Sequence, residues 1–327
     1  MEKVLTVVIP TYNMEKYLKE CLNSFIYDEK EEALEVLVVN DGSKDNSLNI
    51  AKEYEKKYPN IFKVIDKENG GHGSTINAGL KVARGKYFKV VDSDDWVDTS
   101  EFKILVEKLK TLDVDCVVCN YTSVFEGSKK TKKFNNSMAE YNEICAIKNA
   151  KEFKFYMAAT TFKTEKIKNI IIDEKCFYVD TEYNEFCVGK CENFVNLNLD
   201  VYRYRVGRVG QSVSRQGFLK HRFDHLKVIE KLINNLDVTK NNVILKDCIE
   251  IICHHYTNYV YIYSLNKETV DELKQFNEYL KQHKCLYEMT NKIKKIRILR
   301  NTNFKIIKLL AFCLTIKIFI KKILFIN

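Results

Sequence analysis

Three carboxylates crowd four positions at Asp92-Ser93-Asp94-Asp95, directly after the run Phe88 to Val91. Like charges this close repel, and a strand end tolerates them when a hard cation sits there. Magnesium or manganese, held by one or two carboxylates and by substrate phosphates, suits such ligands. A solvated acidic turn capping the next helix is the plainer alternative. Asp41 closes a second apolar run, Val36 to Val39, in Asn40-Asp41-Gly42. A carboxylate there can accept from a ribose hydroxyl or a base N–H, or simply make an Asp-Gly turn. Gly70-Gly71-His72-Gly73 is neither a Walker loop nor a dinucleotide fingerprint. It lets backbone approach a phosphate at a helix N-terminus, and His72 reads as a loop residue rather than a catalyst.

Two further segments carry candidate chemistry. In Phe177-Tyr178-Val179-Asp180-Thr181-Glu182-Tyr183 the acids alternate with apolar and aromatic neighbours. Partial burial would raise Asp180 or Glu182 toward the range of a general base. The competing reading is a surface strand with both acids on one face. Arg203, Arg205, Arg208 and Arg215 fall within thirteen residues, around Gly207, Gly210 and Gly217. Guanidinium forks match phosphate oxygens, so this stretch either folds over a diphosphate or forms a salt-bridged strand and hinge.

These residues need a frame that brings them together. Leu5 to Ile9, Val36 to Val39, Phe62 to Ile65 and Tyr87 to Val91 read as buried strands. Helical patterns separate them: Leu18, Leu22, Phe25 and Ile26; Ser43 to about Tyr58; and the glycine loop through Ala83. Such alternation predicts an α/β, doubly wound, mostly parallel sheet, whose ligands sit at the carboxyl ends of the strands. Six of the eleven glycines lie between Gly42 and Gly85, where strands turn into helices. A helix over Phe102 to Asp115 and a strand to Cys119 follow. Residues 120–150 are ambiguous, Tyr202 to Val206 alternates like a strand, and the chain is helical from His221 on. The domains expected are 1–218, carrying the site, and 219–327, a C-terminal helical region.

Composition excludes other classes. With 46% hydrophobic and 30% charged residues and two prolines, the 327-residue chain is globular rather than disordered or collagen-like. Its net charge of +9 equals the excess of ten basic residues over one acid from Leu286 to Asn327, so the body is neutral and not a nucleic-acid binder. Eleven cysteines without a leader-like segment read as reduced thiols, and Cys116 and Cys119 as strand residues rather than zinc ligands. No apolar run approaches the roughly 20 residues of a membrane span. The tail 304–327, apolar but punctuated by lysines, reads as a basic amphipathic anchor at a membrane surface or as a docked terminal helix.

Taken together, Val8-Ile9-Pro10-Thr11-Tyr12-Asn13, Val39-Asn40-Asp41-Gly42-Ser43, the stretch Asn69-Gly70-Gly71 to Asn77-Ala78-Gly79, and Asp92-Ser93-Asp94-Asp95-Trp96 resemble the family-2 glycosyltransferases. The likeness is close over residues 4–100 and looser to about 215. It implies a GT-A fold, a nucleotide-sugar donor (usually UDP-linked) and inversion at the anomeric carbon. By the same resemblance Asp41 is the base-binding aspartate, Asp92 and Asp94 the DxD pair that meets ribose, diphosphate and Mn2+ or Mg2+, and Asp180 the catalytic base. Val179 stands where the family usually has Glu, so Glu182 could share that role. Pro10, Thr11, Tyr12, Asn13, Gly71, Asn77, Ser93, Arg205, Arg208 and Ser212 complete the expected donor site. The acceptor expected is a glycan, a lipid-linked sugar or a wall polymer, met at the cytoplasmic face of the plasma membrane. Two alternatives stand beside it: a non-catalytic assembly protein on the same fold, and a receiver-type signalling domain. The latter has no use for Asp92-Ser93-Asp94-Asp95.

Overall fold

The computed structural model describes residues 3–27, 33–135, 141–150, 155–208, 211, 215–235, 242–262 and 267–312. The chain divides into two compact units, Met1–Gly210 and Gln211–Asn327. In the first unit the elements run β1 (Leu5–Thr11), α1 (Leu18–Asn23), β2 (Leu34–Asp41), α2 (Ser47–Lys57), β3 (Phe62–Lys67), α3 (His72–Val82), β4 (Tyr87–Val90), β5 (Trp96–Val97) and α4 (Thr99–Thr111). They continue with β6 (Cys116–Phe125), β7 (Thr131–Phe134), β8 (Ile144–Ala146), β9 (Thr160–Lys163), α5 (Thr164–Ile167), α6 (Val179–Val188) and β10 (Asn193–Val206).

The strands form one sheet in the order β3-β2-β1-β4-β9-β6-β10-β5. From β3 to β4 every pairing is parallel, and every residue of β1, β2 and β4 is buried. This is why these strands read as continuous apolar runs. Chain order reverses at β1, with β2 on one side and β4 on the other, which opens a crevice at their carboxyl ends. The parallel character belongs to this half. Beyond β4, β9 runs antiparallel to both β4 and β6, and β10 returns parallel to β6. Within the ambiguous stretch 120–150, residues 120–134 are the rest of β6 and its hairpin with β7, where Tyr121 stacks on Phe134 with centroids 4.7 Å apart.

Among the charges buried in this unit, Glu35 and Lys89 both find partners. Glu35 of β2 takes the Arg84 guanidinium at 2.6 Å and the Thr6 hydroxyl at 2.8 Å. Lys89 of β4 donates to the carbonyls of Ala158 and Thr160 at 2.8 and 3.1 Å, stitching β4 to β9. Burial pulls its pKa down to about 8. Gly79 has a different task. A Cβ there would run into the methyls of Val8, so glycine is what lets α3 lie directly on β1.

The largest departure from the sequence reading lies at 179–188. The alternation suggested a strand, but the segment is the helix α6. Residues two apart on a helix point to nearly opposite sides, so Asp180 is exposed while Glu182 is fully buried.

The second unit is helical: α7 (Arg215–Lys220), α8 (Arg222–Asn235), α9 (Asn242–Tyr261), α10 (Lys267–Gln282), α11 (Lys284–Asn291) and α12 (Lys294–Asn301). Leu273, Phe276 and Leu280 of α10 are buried in its core with Ile252 and Tyr256 of α9. The ten cysteines among the described residues are all free thiols. No helix among those residues is long and apolar enough to cross a membrane.

Candidate active site

The carboxyl ends of β1 and β2 are sewn to each other. The Asn13 side chain accepts from the Lys44 amide at 2.7 Å, and the Ser47 hydroxyl accepts from the Met14 amide at 2.8 Å. Asn13 takes a left-handed conformation, φ 54°, which asparagine tolerates. Tyr12 beside it is 46% exposed. Thr11 is buried with its hydroxyl on the Ile9 carbonyl, and the Pro10 carbonyl accepts from Ser93 Oγ at 2.6 Å. The Ser93 hydroxyl therefore ties the acidic turn to β1 rather than facing a ligand.

Asp41 is spent on the glycine loop. Its two oxygens accept from the Gly70 and Gly71 amides, each at 2.8 Å, and Lys67 Nζ bonds it at 2.9 Å. Gly71 has φ +84°, a conformation closed to most side chains. The loop is thereby locked as it enters α3, with His72 as that helix's first residue.

The segment that carries Asp180 docks on α3 and this loop through two clamps, and a third bond ties the segment to α6. Asn77 of α3 pairs with Ile172 as a strand would: its amide nitrogen donates to the Ile172 carbonyl at 2.8 Å and its oxygen accepts from the Ile172 amide at 2.9 Å. The Lys175 amide donates to the Gly70 carbonyl at 2.6 Å. Glu182 accepts from the Asp173 amide at 3.0 Å. Asn77 was expected to meet the donor and Glu182 to share the base role. Both polar ends of Asn77 are engaged with the Ile172 backbone, and the Glu182 side chain is buried against the Asp173 amide.

The acids then meet their partners. Asp92 lies 2.9 Å from His72 Nε2. Asp94 pairs with the Arg208 guanidinium, and both side chains are largely buried. Asp95 is buried and belongs to the framework, accepting from the Tyr202 hydroxyl and the Arg205 amide, each at 2.7 Å. Arg205 is framework too. Its guanidinium lies between the rings of Tyr17 and Trp96, 4.8 and 4.7 Å from their centroids, and bonds the Asp94 carbonyl. Arg208, by contrast, meets the Asp94 carboxylate itself. Ser212 and the rest of 212–214 lie outside the described residues.

Proximity shifts the protonation of this cluster. Burial pushes Asp94 up, helped by the Asp92 charge and opposed by Arg208. Burial pushes Asp95 further up, with Asp94 and Asp92 adding to it. Burial also raises Asp180, against the pull of His72; because the side chain is open to solvent, that effect is discounted. For His72, burial alone would lower the pKa, but the Asp92 hydrogen bond and the charges of Asp92, Asp180 and Asp94 outweigh it. His72 was passed over as a loop residue, yet it stands among three carboxylates. Its only sequence signal is its place at the end of a glycine loop opening a helix.

A divalent cation is chemically compatible with this turn. Asp92 and Asp94 each keep a second carboxylate oxygen outside these bonds, and burial beside a like charge favours anything that adds positive charge. Among the described residues no three His, Cys, Asp or Glu side chains converge as a metal site. A metal here would rest on the two aspartates and on oxygens of a bound substrate.

Residues 6–178, more than half of the chain, match the family described as glycosyl transferase family 2. The chain belongs to that family. Among curated relatives, the uncharacterised glycosyltransferase EpsJ of Bacillus subtilis is 30% identical over 217 residues, covering 63% of this chain and 62% of EpsJ. The minor teichoic acid biosynthesis protein GgaB of B. subtilis is 28% identical over 243 residues, covering 72% of this chain and 27% of GgaB. GlyG of Streptococcus pneumoniae, a glycosyltransferase, is 29% identical over 279 residues, covering 78% of this chain and 91% of GlyG. The chain thus spans less than two thirds of EpsJ and GgaB. Among solved structures, S. aureus TarS residues 1–349 with UDP-GlcNAc superposes with a TM-score of 0.63 at 22% identity, covering 84% of this chain and 81% of that one. The likeness to TarS establishes the GT-A glycosyltransferase fold for this family-2 member.

Proposed function

We propose that this protein is an inverting glycosyltransferase. It moves a sugar from a nucleotide donor, UDP-linked, to a hydroxyl of a glycan, a lipid-linked sugar or a wall polymer. The observation that carries the reading is the pairing of 172–175 with α3 and the glycine loop, through Asn77 on Ile172 and Lys175 on Gly70, which brings α6, with Asp180 in its first turn, to the loop that carries His72. A relative that acts in minor teichoic acid biosynthesis supports the polymer class of acceptor. A fold neighbour solved with UDP-GlcNAc supports a uridine donor.

The chemistry follows from the side chains. An acceptor hydroxyl is a weak nucleophile at neutral pH, and the Asp180 carboxylate takes its proton as it attacks the anomeric carbon. Attack from the face opposite the nucleoside diphosphate inverts that carbon. The leaving diphosphate gathers negative charge, and Arg208 exchanges its Asp94 partner for those oxygens. His72, held by Asp92, contributes a second positive group. Tyr12, exposed beside β1, offers a face for the base. Bound Mn2+ or Mg2+ would be held by Asp92 and Asp94 and would neutralise diphosphate charge. The C-terminal region attaches the protein peripherally to the inner face of the plasma membrane.

Isothermal titration of UDP, with and without Mn2+, tests the donor site. Binding should strengthen with Mn2+ and lose that gain in Asp94→Asn. Arg208→Gln should weaken UDP roughly tenfold or more while leaving uridine unchanged. A folded protein that ignores UDP in every condition would overturn the reading.

A further inference from the structure

We infer that the outer side of 292–312 is a docking surface for an anionic lipid bilayer. This deepens the peripheral-membrane part of the proposed function and extends it from the start of the tail back into a folded part of the second unit. The structure sorts the basic residues here into two kinds. Arg300 is internal: it bonds Asn277 Oδ1 at 2.7 Å and the Tyr287 carbonyl at 2.9 Å, and lies 4.0 Å from the Tyr287 ring centroid. Lys292, Lys294, Lys295, Arg297, Lys305 and Lys308 are exposed, and among the described residues none of the six makes an ion pair. Glu288, the one acid after Leu286, sits 4.0 Å from Lys284 instead.

The same stretch is fastened to its unit by apolar residues. Ile296, Leu299, Phe304 and Ile307 are buried. On α12 the buried pair lies opposite Lys294 and Arg297, which the 100° step of a helix places on the outer side. The lysines are therefore presented by a docked structure, and Phe304 and Ile307 are not part of a loose anchor. Two large apolar side chains stand out among the cations: Leu309 is 59% exposed and Phe312 64%. Uncompensated positive charge suits an anionic surface in general, and exposed leucine and phenylalanine favour one with an apolar interior to enter. A water-soluble polyanion would satisfy the lysines and leave Leu309 and Phe312 in water.

The test uses full-length protein sedimented with vesicles of phosphatidylcholine alone, and of equal parts phosphatidylcholine and phosphatidylglycerol. Binding should require phosphatidylglycerol and fall with added salt. The triple variant Lys294→Gln, Lys295→Gln, Arg297→Gln should lose about a hundredfold in vesicle partitioning, as expected for three charges near such a surface. Lys305→Gln with Lys308→Gln gives an independent pair should the triple variant fold poorly. Leu309→Ser with Phe312→Ser should weaken binding even at low salt. Wild-type protein that ignores phosphatidylglycerol, or variants that bind like wild type, would overturn the surface. So would soluble poly(glycerol phosphate) that displaces the protein from vesicles at matched phosphate. UDP titration on the same samples reports the transferase reading separately, since none of these residues belongs to the donor site.

Discussion

Asp180 and Glu182 are two residues apart, and the helix turns one to solvent and the other into the core, so the proposed base role falls to Asp180 alone. Asp180→Asn removes the proton acceptor and keeps the shape. Asp180 lies in the first turn of α6, so the change gives up a helix-dipole interaction of about 0.3–1 kcal/mol. Relief of repulsion from Asp92 runs the other way, and net stability should hardly move. Turnover should fall by about 10²–10⁴, on the order of 3–5 kcal/mol of barrier, as general-base removal does. UDP affinity should stay near wild type, because nothing that bonds the diphosphate has changed. Glu182→Gln keeps an oxygen for the Asp173 amide and should cost about 1 kcal/mol or less. Glu182→Ala strands that amide and opens a void in a fully buried site, costing about 2–4 kcal/mol. The assay is UDP release for kcat and KM, with calorimetric UDP affinity and a denaturant midpoint for each variant. Asp180→Asn with near-normal turnover, or Glu182→Gln with a hundredfold loss at unchanged stability, would refute the assignment.

The clamp at Asn77 gives a different signature. Asn77→Ala should destabilise by about 1–3 kcal/mol, from the unpaired Ile172 amide and carbonyl, and lower kcat more than it weakens UDP binding; a denaturant midpoint, UDP release and UDP calorimetry check this. In the helical unit His225 and His255 lie with Nδ1 atoms 3.1 Å apart and rings stacked. Burial, with the charge of His254, lowers His225 from 6.5 to about 4, and burial, with the charge of His225, lowers His255 well below 6.5. The folded state therefore holds these rings neutral while the unfolded chain takes up protons below about 6.5. Stability should be flat above that pH and fall as pH drops toward 4, by about 2 kcal/mol at pH 5 from His225 alone. Thermal melts followed by circular dichroism should show the loss, and His225→Gln should flatten it.

The sequence by itself carried the strand–helix alternation, the parallel half of the sheet and the four motifs at its carboxyl ends. Those signals are local: an apolar run, a glycine that must turn, acids that must be compensated. The helical character of the C-terminal region was legible for the same reason. What the sequence left open depends on partners far along the chain. Asn77 and Ile172 are 95 residues apart, and nothing in either neighbourhood announces that one holds the other. Arg205 and Arg208 look alike as text, and only tertiary packing gives one to Tyr17 and Trp96 and the other to Asp94. His72 meets Asp92, twenty residues on, only in the folded sheet. The helix at 179–188 defeated an alternating pattern because its buried side is satisfied by long-range contacts, including Tyr183 on Phe162 with centroids 5.8 Å apart. Local chemistry marked where the site lies, and long-range packing decided which of its residues are left to act.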